Sequence, residues 1–97
     1  MPAYVVAFVN VTNPEAMGRY AANVSAVTER HGGRYLFVGP GAQALEGTTP
    51  DGMAIIEFPS HEAARAWYES PEYVELKAVR QAAGPTSMFL TPDVPQS

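Results

Sequence analysis

Apolar and polar residues alternate between two periods along this chain, and the switches divide it into six elements. Ala3 to Val11 (AYVVAFVNV) is apolar on both parities and rich in Val and aromatics, with Asn10 its polar interruption. That is the signature of a strand buried on both faces, hence a central strand. Thr12-Asn13-Pro14-Glu15 then reads as a helix start. Asn13 caps, Pro14 takes the first helical position where its missing N–H costs nothing, and Glu15 sits at the positive end of the dipole. Thr12 with Glu15 also spells a capping box one residue earlier, but Asn13 places Pro14 first and is preferred. Met17, Tyr20, Ala21, Val24 and Val27 follow as one apolar stripe, which His31 prolongs before Gly32-Gly33 stops the helix.

Arg34 to Gly39 (RYLFVG) is a second strand, broken by Gly39-Pro40-Gly41. Residues 41–52 read as a loop, with an irregular strand pair expected near Gln43 to Leu45. Met53 to Phe58 (MAIIEF) is a third strand, again apolar on both parities apart from Glu57. Ser60 caps another helix. Ser70-Pro71-Glu72 is a fresh start signal within it, so one helix broken at Ser70 or two abutting helices are expected. Tyr73, Leu76, Val79 and Ala83 form its inward stripe, Gly84-Pro85 ends it, and Thr86 to Thr91 is the last strand. Residues 93–97 close the chain as a flexible tail.

Strand, helix, strand, strand, helix, strand with right-handed crossovers gives a ferredoxin-like βαββαβ domain over residues 1–92: an α+β fold with a four-stranded antiparallel sheet and helices on one face. The first and third strands then lie in the middle, in agreement with their apolar patterning. The other sheet face is left as an apolar patch, which two copies pairing about a two-fold axis would cover. Composition points the same way. Of 97 residues, 46% are apolar and 16% charged, against roughly 25% charged in an average domain. A small domain is mostly surface, so sparse charge implies that some of that surface is covered.

The net charge of −4 and six scattered basic residues argue against a nucleic-acid or membrane-surface partner. With no cysteine there is no disulfide, thiolate nucleophile or Cys-bound metal, and a reducing compartment suits the chain. The opening Met1-Pro2-Ala3-Tyr4 has no basic stretch leading into an apolar run, and no segment is long and apolar enough to span a bilayer. A cytoplasmic protein is therefore expected.

Several stretches together resemble a known family. They are Met1-Pro2-Ala3-Tyr4-Val5-Val6, Asn13-Pro14-Glu15-Ala16, His31-Gly32-Gly33-Arg34-Tyr35-Leu36, Glu46-Gly47 and Ile56-Glu57-Phe58-Pro59-Ser60. The most specific is Ala63-Ala64-Arg65-Ala66-Trp67-Tyr68-Glu69-Ser70-Pro71-Glu72-Tyr73, followed by Arg80. Over nearly its whole length the chain resembles the uncharacterised dimeric α/β-barrel family called domain of unknown function thirteen-thirty. The resemblance implies a ferredoxin-like protomer and a homodimer whose two sheets form a barrel. The wider superfamily holds cofactor-free monooxygenases acting on aromatic polyketides, haem-degrading enzymes, isomerases and proteins without known chemistry, so the fold does not select an activity. One departure is visible: Gly39-Pro40-Gly41 stands where relatives often carry an Arg-Gly-Gly-like turn, so any anion contact made by that Arg is lost here.

Candidate chemistry is sparse. His31 can serve as a general base or simply interact with the last carbonyls of its helix. His61 sits in a first helical turn. Two distant histidines are a poor metal set, and no cofactor or metal is expected. Glu57 and Asn10 interrupt apolar strands. A carboxylate there needs a polar pocket, a partner such as Arg34 or Arg65, or a place at the sheet's end. Arg34 can hold a carboxylate or enolate, or pair with Glu57. Trp67, Tyr68 and Tyr73 line a ligand pocket or anchor the core and interface. Tyr20 and Tyr35 bring hydroxyls that can donate to an oxyanion or pack in the core. The glycine patterns match no nucleotide-binding loop.

From these residues the expected function is binding of a small, partly apolar, oxygen-bearing molecule inside a homodimer, with cofactor-free monooxygenase- or isomerase-like chemistry. Catalysis would rest on His31 and Glu57, and binding on Asn10, Arg34, Tyr20, Trp67, Tyr68 and Tyr73. The competing expectation is a non-enzymatic dimeric binding or protein-interaction module.

Overall fold

The computed structural model describes residues 1–95, so the last two positions of the expected tail lie outside the described residues. The elements are β1 (Ala3–Val9), α1 (Pro14–Arg30), β2 (Arg34–Gly39), β3 (Gly52–Phe58), α2 (His61–Glu69), α3 (Pro71–Ala83) and β4 (Thr86–Leu90). The strands form one antiparallel sheet in the order β2-β3-β1-β4, with β1 and β3 in the middle as their patterning requires. The chain is thus an α+β protein of βαββαβ type whose second helical segment is split in two.

The helix starts follow their capping chemistry. Asn13 Oδ1 accepts the Ala16 N–H at 3.1 Å, with Pro14 as the first helical residue. Ser70 serves both helices that meet at it. Its Oγ donates to the Trp67 carbonyl at 2.8 Å, closing α2, and accepts the Tyr73 N–H at 3.2 Å, opening α3. Two abutting helices are therefore present rather than one.

Two sequence expectations need correction. Gln43 to Leu45 forms no strand. Three glycines punctuate residues 39–47, all at positive φ, so the backbone there turns repeatedly instead of extending. The inward stripe of α3 also differs. Val79 is only half buried and Arg80 takes the buried position, giving the stripe Tyr73, Leu76, Arg80 and Ala83.

Register sorts the strand residues onto two faces. Ala3 faces Phe58, Val5 faces Ile56, Ala7 faces Ala54 and Val9 faces Gly52 on the helix side. Tyr4, Val6, Phe8, Met53, Ile55 and Glu57 face the other way. A bulge at Leu36 lets Tyr35 pair with Ile56 on the helix side while Phe37, two residues on, pairs with Ile55 on the open side. The core is an aromatic column in which Phe58, Trp67 and Tyr73 are fully buried. Ring centroids lie 5.1 Å apart for Phe58–Trp67 and 4.3 Å apart for Trp67–Tyr73.

Beyond β4, Thr91 exchanges hydrogen bonds with Tyr4, and Val94 N–H donates to the Pro2 carbonyl at 2.7 Å. The His61 N–H donates to Asp93 Oδ1 at 2.7 Å, so the start of α2 is tied to the same segment. No helix among the described residues is long and apolar enough to cross a membrane.

Candidate functional site

The side chains on the helix-facing floor of the sheet shrink along the strands. At the end near Phe58 they are large and meet Trp67. At the other end the cross-strand pairs are Ala7–Ala54 and Val9–Gly52, too small to reach the helix above them. α1 cannot descend to close the gap, because its Val24 and Val27 already rest in the core cluster. A cavity of about 480 Å³ results, open to solvent on one side. Ala7, Val9 and Ala54 form its floor, Met17, Tyr20 and Ala21 its α1 wall, and the rim carries Pro40 and Asp51.

The polar groups in this wall are few. Tyr20 extends the aromatic column into the cavity, its hydroxyl 2.9 Å from that of Tyr73. Burial, then the neighbouring Tyr73, push the Tyr20 hydroxyl far above the ordinary phenol range, although the nearby Arg80 pulls the other way. Burial also raises Tyr73, opposed by its hydrogen bond with Tyr20 and by Arg80. Tyr35, raised by burial as well, shares a 3.1 Å hydrogen bond with the buried Thr28 hydroxyl. All three phenols are therefore neutral hydrogen-bonding groups, not nucleophiles. Arg80 enters from the last turn of α3, its guanidinium Nη1 reaching Met88 Sδ at 3.7 Å. Asp51 is the carboxylate among the lining residues. Its Oδ2 accepts the Val11 N–H at 2.8 Å, and its own N–H donates to Asn10 Oδ1 at 3.2 Å.

The sequence-predicted candidates fall into separate places. Tyr20 lines the cavity and Tyr73 stands behind it. Asn10 is exposed and braces the Asp51 loop at the rim. Arg34 and Glu57 lie on the opposite sheet face, paired at 2.7 Å, with the Tyr4 hydroxyl donating to Glu57 at 3.3 Å. Of the alternatives open for Glu57, it pairs with Arg34. His31 is the C-cap of α1, its backbone N–H bonded to the Thr28 and Glu29 carbonyls, and it is not a lining residue. Trp67 and Tyr68 border a smaller cavity of about 260 Å³ between α2 and β4. His61 Nδ1 lies 3.0 Å from the Thr91 carbonyl, a structural tie. Among the described residues no three His, Asp or Glu side chains gather as a metal set.

Arg80 and Asp51 were missed by the sequence reading. A charged residue in an amphipathic helix reads as solvent-facing, yet Arg80 sits seven residues after Tyr73 and three before Ala83, which is stripe spacing. That spacing was the available signal. Asp51 follows a loop without periodicity and gave none.

The open face of the sheet is the second unusual surface. Val6, Phe8, Phe37, Met53, Ile55 and Phe89 make it apolar; Phe37 remains 41% exposed and Phe89 60%. Phe8 and Phe89 meet edge to face at 6.4 Å.

Residues 2–94 match the family model described as domain of unknown function (DUF1330), so the chain belongs to that family. None of the curated proteins matches it. Among solved structures it is similar to the RPA0582 protein of unknown function from Rhodopseudomonas palustris. The identity is 25% and the TM-score 0.75, covering 98% of this chain and 84% of that one. It is similar in fold to SnoaB, a cofactor-independent oxygenase from Streptomyces nogalater, at 14% identity and TM-score 0.71, over 98% of this chain and 95% of that one. It also resembles a dimeric ferredoxin-like protein of unknown function from Thermobifida fusca YX, at 12% identity and TM-score 0.70, over 95% and 91% of the two chains.

Proposed function

We propose that this member of the DUF1330 family is a homodimer that binds a small, partly apolar, oxygen-bearing molecule in the cavity beneath α1 of each protomer. The observation that carries the reading is the cavity itself. About 480 Å³ of space, floored by Ala7 and Ala54 and walled by Tyr20, lies where a domain of this size would otherwise place core side chains. A solvent-open apolar hollow that large forgoes the packing contacts a filled core would make, and a ligand pocket is the ordinary reason for one. The pairing supports it from outside. Two open faces laid together would bury Phe37 and Phe89, and a fold neighbour is described as dimeric.

Enzyme activity in this cavity would be cofactor-free proton or oxygen chemistry; the Streptomyces nogalater neighbour is described as a cofactor-independent oxygenase. The carboxylate at hand is Asp51 at the rim. His31 and Glu57 are outside the wall and are not assigned to the reaction.

Native mass spectrometry of freshly purified protein, followed by denaturation to release any small molecule, tests both halves. A dimer carrying extra mass that disappears in Ala54→Leu is the expected result. A monomer refutes the pairing. A dimer that neither carries a molecule nor binds naphthalene-sized probes refutes the cavity reading.

A further inference from the structure

A buried guanidinium has two ways to persist. It pairs with a carboxylate, or it waits for an anion, since it cannot shed its proton as a buried lysine does. Arg80 is 7% exposed, in the layer between α1, α3 and the sheet. Among the described residues the ion pairs are Arg19–Glu15, Arg30–Glu72, Arg34–Glu57 and Arg65–Glu69, and no carboxylate lies within pairing distance of Arg80. Its Nε is fully buried without a hydrogen-bond partner. Its Nη1 meets only a thioether sulfur, a weak acceptor. The other groups facing it are the Tyr20 and Tyr73 hydroxyls, which burial keeps neutral. Among the described residues each of its polar neighbours is uncharged, while the other four arginines each reach a glutamate.

The same residue borders the apolar cavity. Charge and cavity thus share one wall: an apolar floor for a flat hydrocarbon body and an unmatched cation at the side. We propose that Arg80 is the anion anchor of this cavity, and that the ligand is a monoanion joining a carboxylate, enolate or phenolate oxygen to an apolar ring-sized body. The inference rests on the cavity reading above and deepens it. The planar fork of the guanidinium suits two oxygens of a carboxylate, and the Tyr20 hydroxyl stands ready as a third donor. A neutral ligand would fill the same space but leave the cation unmatched.

The test compares 2-naphthoate with its neutral isostere 2-naphthamide by isothermal titration calorimetry, on the wild-type protein, Arg80→Met and Arg80→Lys. Wild type should bind the carboxylate about tenfold or more tighter than the amide. Arg80→Met should lose that preference, and Arg80→Lys should keep part of it. Replacing an unmatched buried charge by an apolar side chain should also raise the ligand-free melting temperature, so Arg80→Met is expected to fold. Should it not fold, the wild-type ratio and Arg80→Lys still decide. Equal wild-type affinities for the two compounds overturn the anion inference and leave the cavity reading standing. A carboxylate preference that survives in Arg80→Met overturns the assignment to Arg80. Binding of neither compound overturns the cavity reading and the inference with it.

Discussion

The two ends of the helix-facing layer are built from the same strands and differ in the size of what they carry. At one end Ala3 pairs with Phe58, and Phe58, Trp67 and Tyr73 stack into a closed aromatic column. At the other, Ala7 pairs with Ala54 and Val9 with Gly52, and the layer stands open. Backbone register alone does not make a core. It decides which residues meet, and their volumes decide whether the meeting leaves a void. The closed end supplies the stability that lets the open end stay hollow.

The sharpest way to break this comparison is to hollow out the closed end as well. Trp67→Ala should cost about 3–5 kcal/mol in chemical denaturation, whereas Met17→Ala at the cavity wall should cost less than about 1 kcal/mol. Equal losses would mean that the two ends are packed alike. Next in size is Gly84→Ala, at the seam where α3 returns to β4. Gly84 has φ +151°, and an added Cβ would lie 2.0 Å from the Asn10 carbonyl oxygen. The strain should cost about 2–3 kcal/mol and loosen the hydrogen bonds from Thr12 and Asn13 to the Ala83 carbonyl, slowing refolding or lowering the melting temperature.

Filling the open end runs the other way. Ala54→Leu should leave stability unchanged or raise it by about 0.5–2 kcal/mol while abolishing ligand binding. A large loss of stability would mean that the cavity closes in solution.

Tyr20→Phe removes one member of the hydroxyl pair that joins the two ends and leaves Tyr73 without its partner, at a cost of about 1 kcal/mol. The raised phenols also set a pH dependence. A group whose folded pKa exceeds its unfolded value stabilises fully below the unfolded value, near 10 for tyrosine, and loses that contribution as pH rises beyond it. Stability should therefore fall above about pH 10, and the fall should be shallower in Tyr20→Phe.

The smallest effect belongs to the opposite face. Glu57→Gln weakens a pair whose arginine is 71% exposed, so its cost should stay within about 1 kcal/mol, and affinity for a cavity ligand should not change. A loss of ligand binding would place the site on the open face instead.

Much of the fold was legible before any coordinates. The doubly apolar first and third strands named the sheet's centre, and Asn13-Pro14 and Ser70-Pro71 marked two helix starts to the residue. The aromatic run from Trp67 to Tyr73 read as either pocket or core, and Trp67 and Tyr73 prove to be core, while β2 hid a bulge that only pairing with β3 reveals. The candidate site was less legible. Of the residues singled out for chemistry, Tyr20 lines the cavity, while Arg34 and Glu57 pair on the far face and His31 caps a helix.

The sequence by itself determined the element order and the starts of the helices, because those follow from local periodicity and capping, each read within a few residues. Only the tertiary structure decided that Ala7 meets Ala54 and Val9 meets Gly52, and that Arg80 turns inward without a carboxylate. A cavity is the absence of volume at a meeting of distant segments, and an unmatched charge is the absence of a partner. Neither is written at any one position of the chain, so each emerges only when strands far apart in sequence are set side by side.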